Sequence, residues 1–195
     1  MKPVEVAQAI VDTLPDALCI ASLGTAVSAL RVASDDGPHY YFGASMGSAL
    51  PLAMGVAEAL PERQVVALLG DGELLMGASA LWSVAAYRPG NLVAVVLSDG
   101  LYSITGGQSL SQPPHFAEVA AAIGGISGYR ASTAAELSDL LRRPSGPLLI
   151  EAAVSEPAWP GPSPFVDPAR VRVAFEDNVA GIANGRVRAL TSGQS

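Results

Sequence analysis

Apolar residues fall into two recurrent patterns along this chain, and their alternation predicts the architecture. ALCIAS at 17–22, VVALL at 65–69, VAVVL at 93–97 and LLIEA at 148–152 are short runs without a polar side, the pattern of strands buried on both faces. Between and around them, apolar positions recur at helical spacing. They predict helices over 4–14, 47–60, 74–87, 116–123 and 133–142, with Pro, Gly or Asp near most of the ends. Continuously apolar strands alternating with helix-length segments imply an α/β fold, a doubly wound parallel sheet with helices on both faces. From Ser155 the texture changes to EPAWPGPSPFVDPARV, whose prolines neither a helix interior nor a sheet interior tolerates. That segment is expected to be an extended arm, followed by a last helix near 167–183 and a frayed tail. The expected organisation is one domain over 1–154, with 155–195 as its arm and C-terminal helix, and without internal repeats.

Composition narrows the partners. At 195 residues the chain is long enough to bury a core of its own. Half of the residues are hydrophobic and 15% are charged, yet no apolar run is long enough for a membrane span, so a soluble chain with a face to hide is expected. A net charge of −7 without a Lys/Arg cluster argues against nucleic acid and against an anionic membrane, which are bound through neutralised phosphates. Cys19 is the lone cysteine, and MKPVEVAQAI lacks the charged and apolar regions of a signal peptide, so the expected compartment is cytoplasmic.

Candidate chemistry lies at two turns. GDG (70–72) follows the second apolar run and SDG (98–100) the third, with 25 residues between the blocks. In a doubly wound sheet, ligands bind outside the carboxyl ends of the strands, where both turns lie. Gly70 and Gly72 permit a sharp turn and a close backbone approach, and a helix starting near Leu74 would aim its positive end at the same place, which suits an anion. Two carboxylates beside a diphosphate repel it unless a cation lies between them, and hard oxygen ligands suit Mg²⁺. The competing reading is that Asp71 and Asp99 are ordinary turn or N-cap residues, since Asp-Gly is a common turn dipeptide.

GDG, the spacing, and an acidic turn closing the next strand resemble the signature of thiamine diphosphate enzymes, in the domain that holds the cofactor's diphosphate. GASMGSALPLAMGVAEALPERQVVALLGDG (43–72) is similar to the approach to GDG across that family, and LYSITGGQ (101–108) resembles its sulfopyruvate and phosphonopyruvate decarboxylase branch. The resemblance runs from about Asp16 to Ala153. It implies Mg²⁺ held by Asp71, Asp99 and the carbonyl of Leu101. It implies that Met46 in ASMGSALP holds thiamine diphosphate bent, with the carbonyl of Ala44 facing its amino group and Ser45 beside it. By the same analogy, the loop Ser22, Gly24, Thr25 touches the diphosphate, as do Gly70, Gly72, Glu73, Tyr102 and Ser103.

Departures from the family qualify these expectations. Asp99 stands where the family usually has Asn, Glu73 replaces a frequent Ser, and GTAVSAL (24–30) lacks the Ser-Arg-Glu of the decarboxylase branch. If that arginine reads a sulfonate or phosphonate, the substrate here lacks one. The activating glutamate of the family comes from a second, pyrimidine-binding domain, and no segment here resembles its source; Glu5, Glu58, Glu62, Glu118 and Glu136 read as helix-face charges. The resemblance therefore implies the cofactor-binding subunit of a split decarboxylase for a small 2-oxo acid, inert alone, with a pyrimidine-binding (α-type) partner, by default as α2β2. A carboligase subunit and a non-catalytic cofactor-binding remnant are the alternatives. His39 and His115 are read as loop residues on the cofactor side that could move a proton, against a merely solvated or capping role. Ser103, Thr105 and Gln108, on a loop freed by Gly106 and Gly107, are candidates for a substrate carboxylate, against a flexible surface turn.

Overall fold

The computed structural model of the protein describes residues 1–34, 37, 39–43, 45–143, 146–155, 159–162 and 165–191. The four expected strands are β1 (Leu18–Ala21), β3 (Val65–Gly70), β4 (Leu92–Ser98) and β8 (Leu148–Ala153). They are joined by β2 (His39–Tyr41) and β7 (Ser127–Ala131) in one sheet of order β2-β1-β3-β4-β8-β7, parallel at every pairing. Register places Leu18 opposite Val65 and Val65 opposite Leu92. Period two then sends Leu18, Ile20, Val65, Ala67 and Leu69 to one face, and Cys19, Ala21, Val66 and Leu68 to the other. Each face needs a cover. α3 (Ala49–Ala59), α5 (Ala80–Tyr87) and α6 (Phe116–Ile123) pack on the first, and α1 (Pro3–Thr13), α2 (Thr25–Ala33) and α7 (Ala134–Leu141) on the second. Each fully buried Leu or Ile contributes about 2 kcal/mol from removal of apolar surface from water.

Several elements were absent from the sequence pattern or differ from it. The segment after the loop at Ser22 and Gly24, for which no helix was expected, is the nine-residue α2 (Thr25–Ala33). β2 has three residues and β7 is an edge strand with one fully buried position, so neither shows a continuous apolar run. The helix expected over 74–87 is broken into α4 (Asp71–Met76) and α5, because the backbone of Gly47 lies against Gly77. A small antiparallel hairpin, β5 (Leu101–Tyr102) and β6 (Gln108–Ser109), follows β4. The last helix, α8 (Pro168–Thr191), starts with Pro at its first position and runs beyond the expected end. Its Val171 reaches the core and Phe175 meets Tyr40 edge-on at 5.5 Å, so α8 covers the outer side of β2. The expected frayed tail at 192–195 lies outside the described residues. No helix among the described residues is long and apolar enough to cross a membrane.

Candidate functional site

From β1 the chain crosses first to β2 on one side and then back to β3 on the other, so topology reverses between the carboxyl ends of β1 and β3. A cleft opens at that point. Ser22, Gly24 and Thr25 line it after β1, Gly70, Gly72 and Glu73 after β3, and Asp99, Leu101, Tyr102 and Ser103 after β4, with Met46 from the loop before α3. Asp71 lies buried just behind these residues, at 1% exposure. Ser45 is exposed beside Met46 and does not line the cleft. Ala44 lies outside the described residues. Leu23, Ala26, Leu97 and Ile104 complete the lining; apolar and without motif character, they carried no signal in the sequence.

The two acidic turns are joined to each other. Asp71 Oδ2 accepts from the N–H of Gly100 at 2.8 Å, across to the turn after β4, while Oδ1 accepts from Gly72 N–H at 2.7 Å. Asp99 Oδ1 accepts from Leu101 N–H at 2.8 Å and Oδ2 from the Ser103 hydroxyl at 3.2 Å. Burial pushes the Asp71 carboxyl up from 3.8 to about 6; the charge of Asp99 adds to the rise, while the N–H groups of Gly100 and Gly72 oppose it. Asp99 is also raised, by burial, against the bonds from Leu101 and Ser103. A metal-free site thus crowds two carboxylates that a cation would relieve.

The chain turns sharply here, from β3 straight into α4, without a left-handed backbone, and glycine serves the site through space. Gly70 has φ −82°, an ordinary extended value, and a Cβ there would meet nothing within 4 Å, so its face is open. A Cβ on Gly72 would stand 2.7 Å from the Tyr102 ring and 3.1 Å from the Leu101 carbonyl oxygen. Tyr102 and Leu101 therefore lie flat against the GDG backbone. The helix expected to aim its amino end here from Leu74 is the six-residue α4, starting at Asp71; the longer helix opening on the cleft is α2, entered through Gly24.

Glu73, which lines the cleft, is also tied to the turn before α3. Its Oε1 accepts from Gly47 N–H at 3.0 Å and from Ala49 N–H at 3.3 Å, capping α3 and tying down the turn that carries Met46. Burial pushes its carboxyl up from 4.5 to about 7, opposed by the N–H groups of Ala49, Gly47 and Ser48.

Comparison with known proteins decides the family. The family described as thiamine pyrophosphate enzyme, C-terminal TPP binding domain, matches residues 24–152. This chain belongs to the thiamine pyrophosphate enzyme family. It is 36% identical over 165 residues to the phosphonopyruvate decarboxylase of Streptomyces viridochromogenes, covering 82% of this chain and 41% of that protein. It is 38% identical over 108 residues to the sulfopyruvate decarboxylase subunit beta of Methanothermobacter thermautotrophicus, covering 55% of this chain and 58% of the subunit. Among solved structures, the thiamine diphosphate-dependent 4-hydroxybenzoylformate decarboxylase of Rhodococcus jostii superposes with a TM-score of 0.64 at 25% identity, covering 80% of this chain and 33% of that one. The chain therefore spans about two fifths of the length of the first of these relatives and little more than half of the second.

The residues in the cleft suit the cofactor of the thiamine pyrophosphate enzymes. Ser22 Oγ is buried without a hydrogen-bond partner among the described residues, at the mouth of the turn into α2, where a phosphate oxygen would satisfy it. The open face of Gly70 is a cradle that any side chain would fill. Asp71 and Asp99, near enough that the charge of one raises the other, and the Leu101 carbonyl supply hard oxygens of the kind Mg²⁺ takes.

The two histidines do not join the cleft. His39 opens β2 and pairs in register with Cys19, toward the amino end of the sheet, so the expected loop position on the cofactor side is corrected. It is buried and meets the Tyr41 ring edge-on at 6.3 Å. His115 is on the cofactor side but in a separate cavity beyond β4, lined also by Ser98, Arg130, Ser132 and Glu151. Its Nδ1 is in contact with the Arg130 guanidinium, which also pairs with the buried Glu151 at 3.0 Å. Glu151 in turn accepts from Phe116 N–H at 2.8 Å, capping α6. This Arg-Glu network escaped the sequence reading because LLIEA looks like plain core strand and Arg130 stands alone in an unrecognised edge strand. Thr105 and Gln108 bond to each other across the hairpin loop at 3.0 Å and 3.1 Å, both exposed; Ser103 alone of that trio faces the cleft.

Proposed function

We propose that this chain is the cofactor-binding subunit of a heteromeric thiamine diphosphate-dependent decarboxylase acting on a small 2-oxo acid. The observation that carries the reading is the Gly100 to Asp71 hydrogen bond, which presents two acidic turns and the Leu101 carbonyl to one cleft at the switch point of the sheet. Likeness to a phosphonopyruvate decarboxylase and to a sulfopyruvate decarboxylase subunit beta supports the reaction class and the split assembly. Thiamine diphosphate supplies the electron sink for loss of CO₂ from a 2-oxo acid. The chain's own residues bind and orient. Asp71, Asp99 and the Leu101 carbonyl would hold Mg²⁺, Ser22 and the amino end of α2 would receive phosphate oxygens, and Met46 would support the cofactor from the turn that Glu73 fixes. Tyr102, laid over Gly72, and Ser103, bonded to Asp99, wall the cleft from solvent on the β4 side.

The activating glutamate is assigned to the partner. Glu151 is committed to the α6 cap and Arg130, and Glu73 to the α3 cap, so both buried glutamates have structural work within this chain. Leu75, Met76 and Trp82 on α4 and α5 are 40%, 63% and 59% exposed, apolar surface that suits a subunit interface. The non-catalytic alternative is favoured by the crowding of Asp71 and Asp99, which resists binding of a diphosphate until the metal is present. Native mass spectrometry of the tagged chain purified from its source in Mg²⁺ buffer separates the readings. A second polypeptide, with thiamine diphosphate bound in the complex and CO₂ release from a 2-oxo acid, supports the split decarboxylase. A lone chain that never takes up the cofactor refutes it.

A further inference from the structure

We infer that Trp159, in the proline-rich arm, is a positioning residue of the cofactor cleft that covers the Gly24 turn beside Ile104. The inference rests on the cofactor reading above. Gly24 has φ 57° and ψ −127°, a backbone that residues with a side chain adopt only with strain, and it delivers the chain into α2. Where its Cβ would stand, Ile104 Cβ and Cδ1 and Trp159 Nε1 each lie 3.7 Å away. Ile104 comes from the hairpin and lines the cleft; the indole comes from the arm, far away in sequence. A methyl group there would make ordinary van der Waals contact with both segments, so the hairpin and the part-exposed indole flank the turn without crowding it.

The arm is anchored independently of the cleft. Gly161 N–H donates to Ser28 Oγ at 2.9 Å, and Ser28 is fully buried in α2. A Cβ on Gly161 would stand 2.1 Å from Val32 Cγ2 and 3.2 Å from the Ser28 carbonyl oxygen, so the arm lies flat on α2 between side chains one turn apart. Trp159 also meets Phe165 edge-on at 6.1 Å, and Val166 packs against the core. Gly161 thus anchors the arm, and the arm holds the indole beside the turn into α2, whose first N–H groups would receive phosphate oxygens. The indole N–H is a donor only, so it adds no acceptor to repel a phosphate.

The test uses the full chain with any partner it retains on gentle purification. Thiamine diphosphate with Mg²⁺ is titrated by calorimetry, and tryptophan emission is recorded in the same samples. Trp159→Ala is expected to weaken binding about tenfold, equivalent to about 1.4 kcal/mol. Gly161→Ala, which touches α2 at Ser28 and Val32 and does not line the cleft, is expected to weaken binding by a similar factor, and the double variant no further, since both act through one arm. Trp159→Phe should recover most of the affinity, and the emission change seen in the parent should be missing from it. If Gly161→Ala does not fold, Trp159→Ala and the emission signal decide. Uptake by the parent with unchanged affinity in Trp159→Ala and an emission change that persists in Trp159→Phe overturns the inference alone. No calorimetric uptake by the parent overturns the cofactor reading, and the inference with it.

Discussion

Glu73 and Gly47 are 26 residues apart in the chain and joined by one hydrogen bond of 3.0 Å, from the Gly47 N–H to Oε1 of a carboxylate that is 5% exposed. Replacing the carboxylate leaves the Gly47 and Ala49 N–H groups without their acceptor, and a buried unsatisfied donor costs about 1–3 kcal/mol. Glu73→Ala is expected to lower stability by about that much and to loosen the Met46 turn, read as faster amide exchange at residues 46–49. Glu73→Gln retains an acceptor oxygen and should recover most of the loss. Equal exchange rates in the parent and Glu73→Ala would refute the tether.

The same carboxylate and Asp71 set an unusual pH dependence for the metal-free chain. Both carboxyls are raised by burial, Glu73 from 4.5 to about 7 and Asp71 from 3.8 to about 6. The folded chain therefore holds more protons than the unfolded chain between the two sets of values, so this stabilisation is complete below the unfolded values and is lost as pH rises through the folded ones. A rise of about two units corresponds to about 3 kcal/mol per group as an order of magnitude. Urea midpoints without metal are expected to fall from about pH 4.5 to about pH 7.5. Glu73→Gln should flatten the slope, and saturating Mg²⁺ should remove the part due to Asp71. A midpoint that rises over this interval would contradict the assignment.

Asp99 tests whether the second ligand needs its charge. Asp99→Asn keeps an oxygen for the Leu101 N–H and removes the charge that helps to raise Asp71. Affinity for thiamine diphosphate with Mg²⁺ is expected to hold or improve, and metal-free stability to rise. Asp71→Asn, at the buried point where the two turns meet, is expected to lose at least about a hundredfold in affinity, or about 2.7 kcal/mol. Calorimetry on the three proteins checks both; a large loss in Asp99→Asn would show that the charge is required.

Two glycines near the cleft should fail differently. At Gly72 a new Cβ meets the Tyr102 ring at 2.7 Å, and a ring can swing aside, so Gly72→Ala should fold but open the β4 side and weaken cofactor binding. At Gly77 it meets the carbonyl oxygen of Gly47 at 2.2 Å, which is backbone. Gly77→Ala is expected to cost about 3 kcal/mol, near the upper end for overpacking, with no side chain available to relieve it. Thermal melts rank the two; a milder effect at Gly77 than at Gly72 would show that the 45–49 loop yields.

Legibility in the sequence followed burial. VVALL and VAVVL announce themselves because both of their faces are covered, and the GDG and SDG turns at their ends mark where the cleft opens. β7 did not, because an edge strand keeps Ser127 and Arg130 in water, and β2 is too short for any period to register. α2 was hidden by its small residues: TAVSALRVA fits closely under the sheet, and nothing in its pattern separates it from the loop that precedes it. His39 was misplaced because DDGPHYY carries loop residues up to the strand's first position. Glu73 stood at a motif position, but its contact is tertiary, with a loop 26 residues earlier, and spacing cannot reveal that.

The bond from Gly100 to Asp71 has a consequence for how the chain matures. The two turns it joins close different strands, and neither has its final shape until β3 and β4 are side by side with their crossover complete. A ligand that needs both turns therefore reports on the finished sheet and ignores partly assembled chains. In the cell, uptake of such a ligand would act as an inspection step, drawing completed molecules out of the pool open to proteases and leaving the unfinished ones behind.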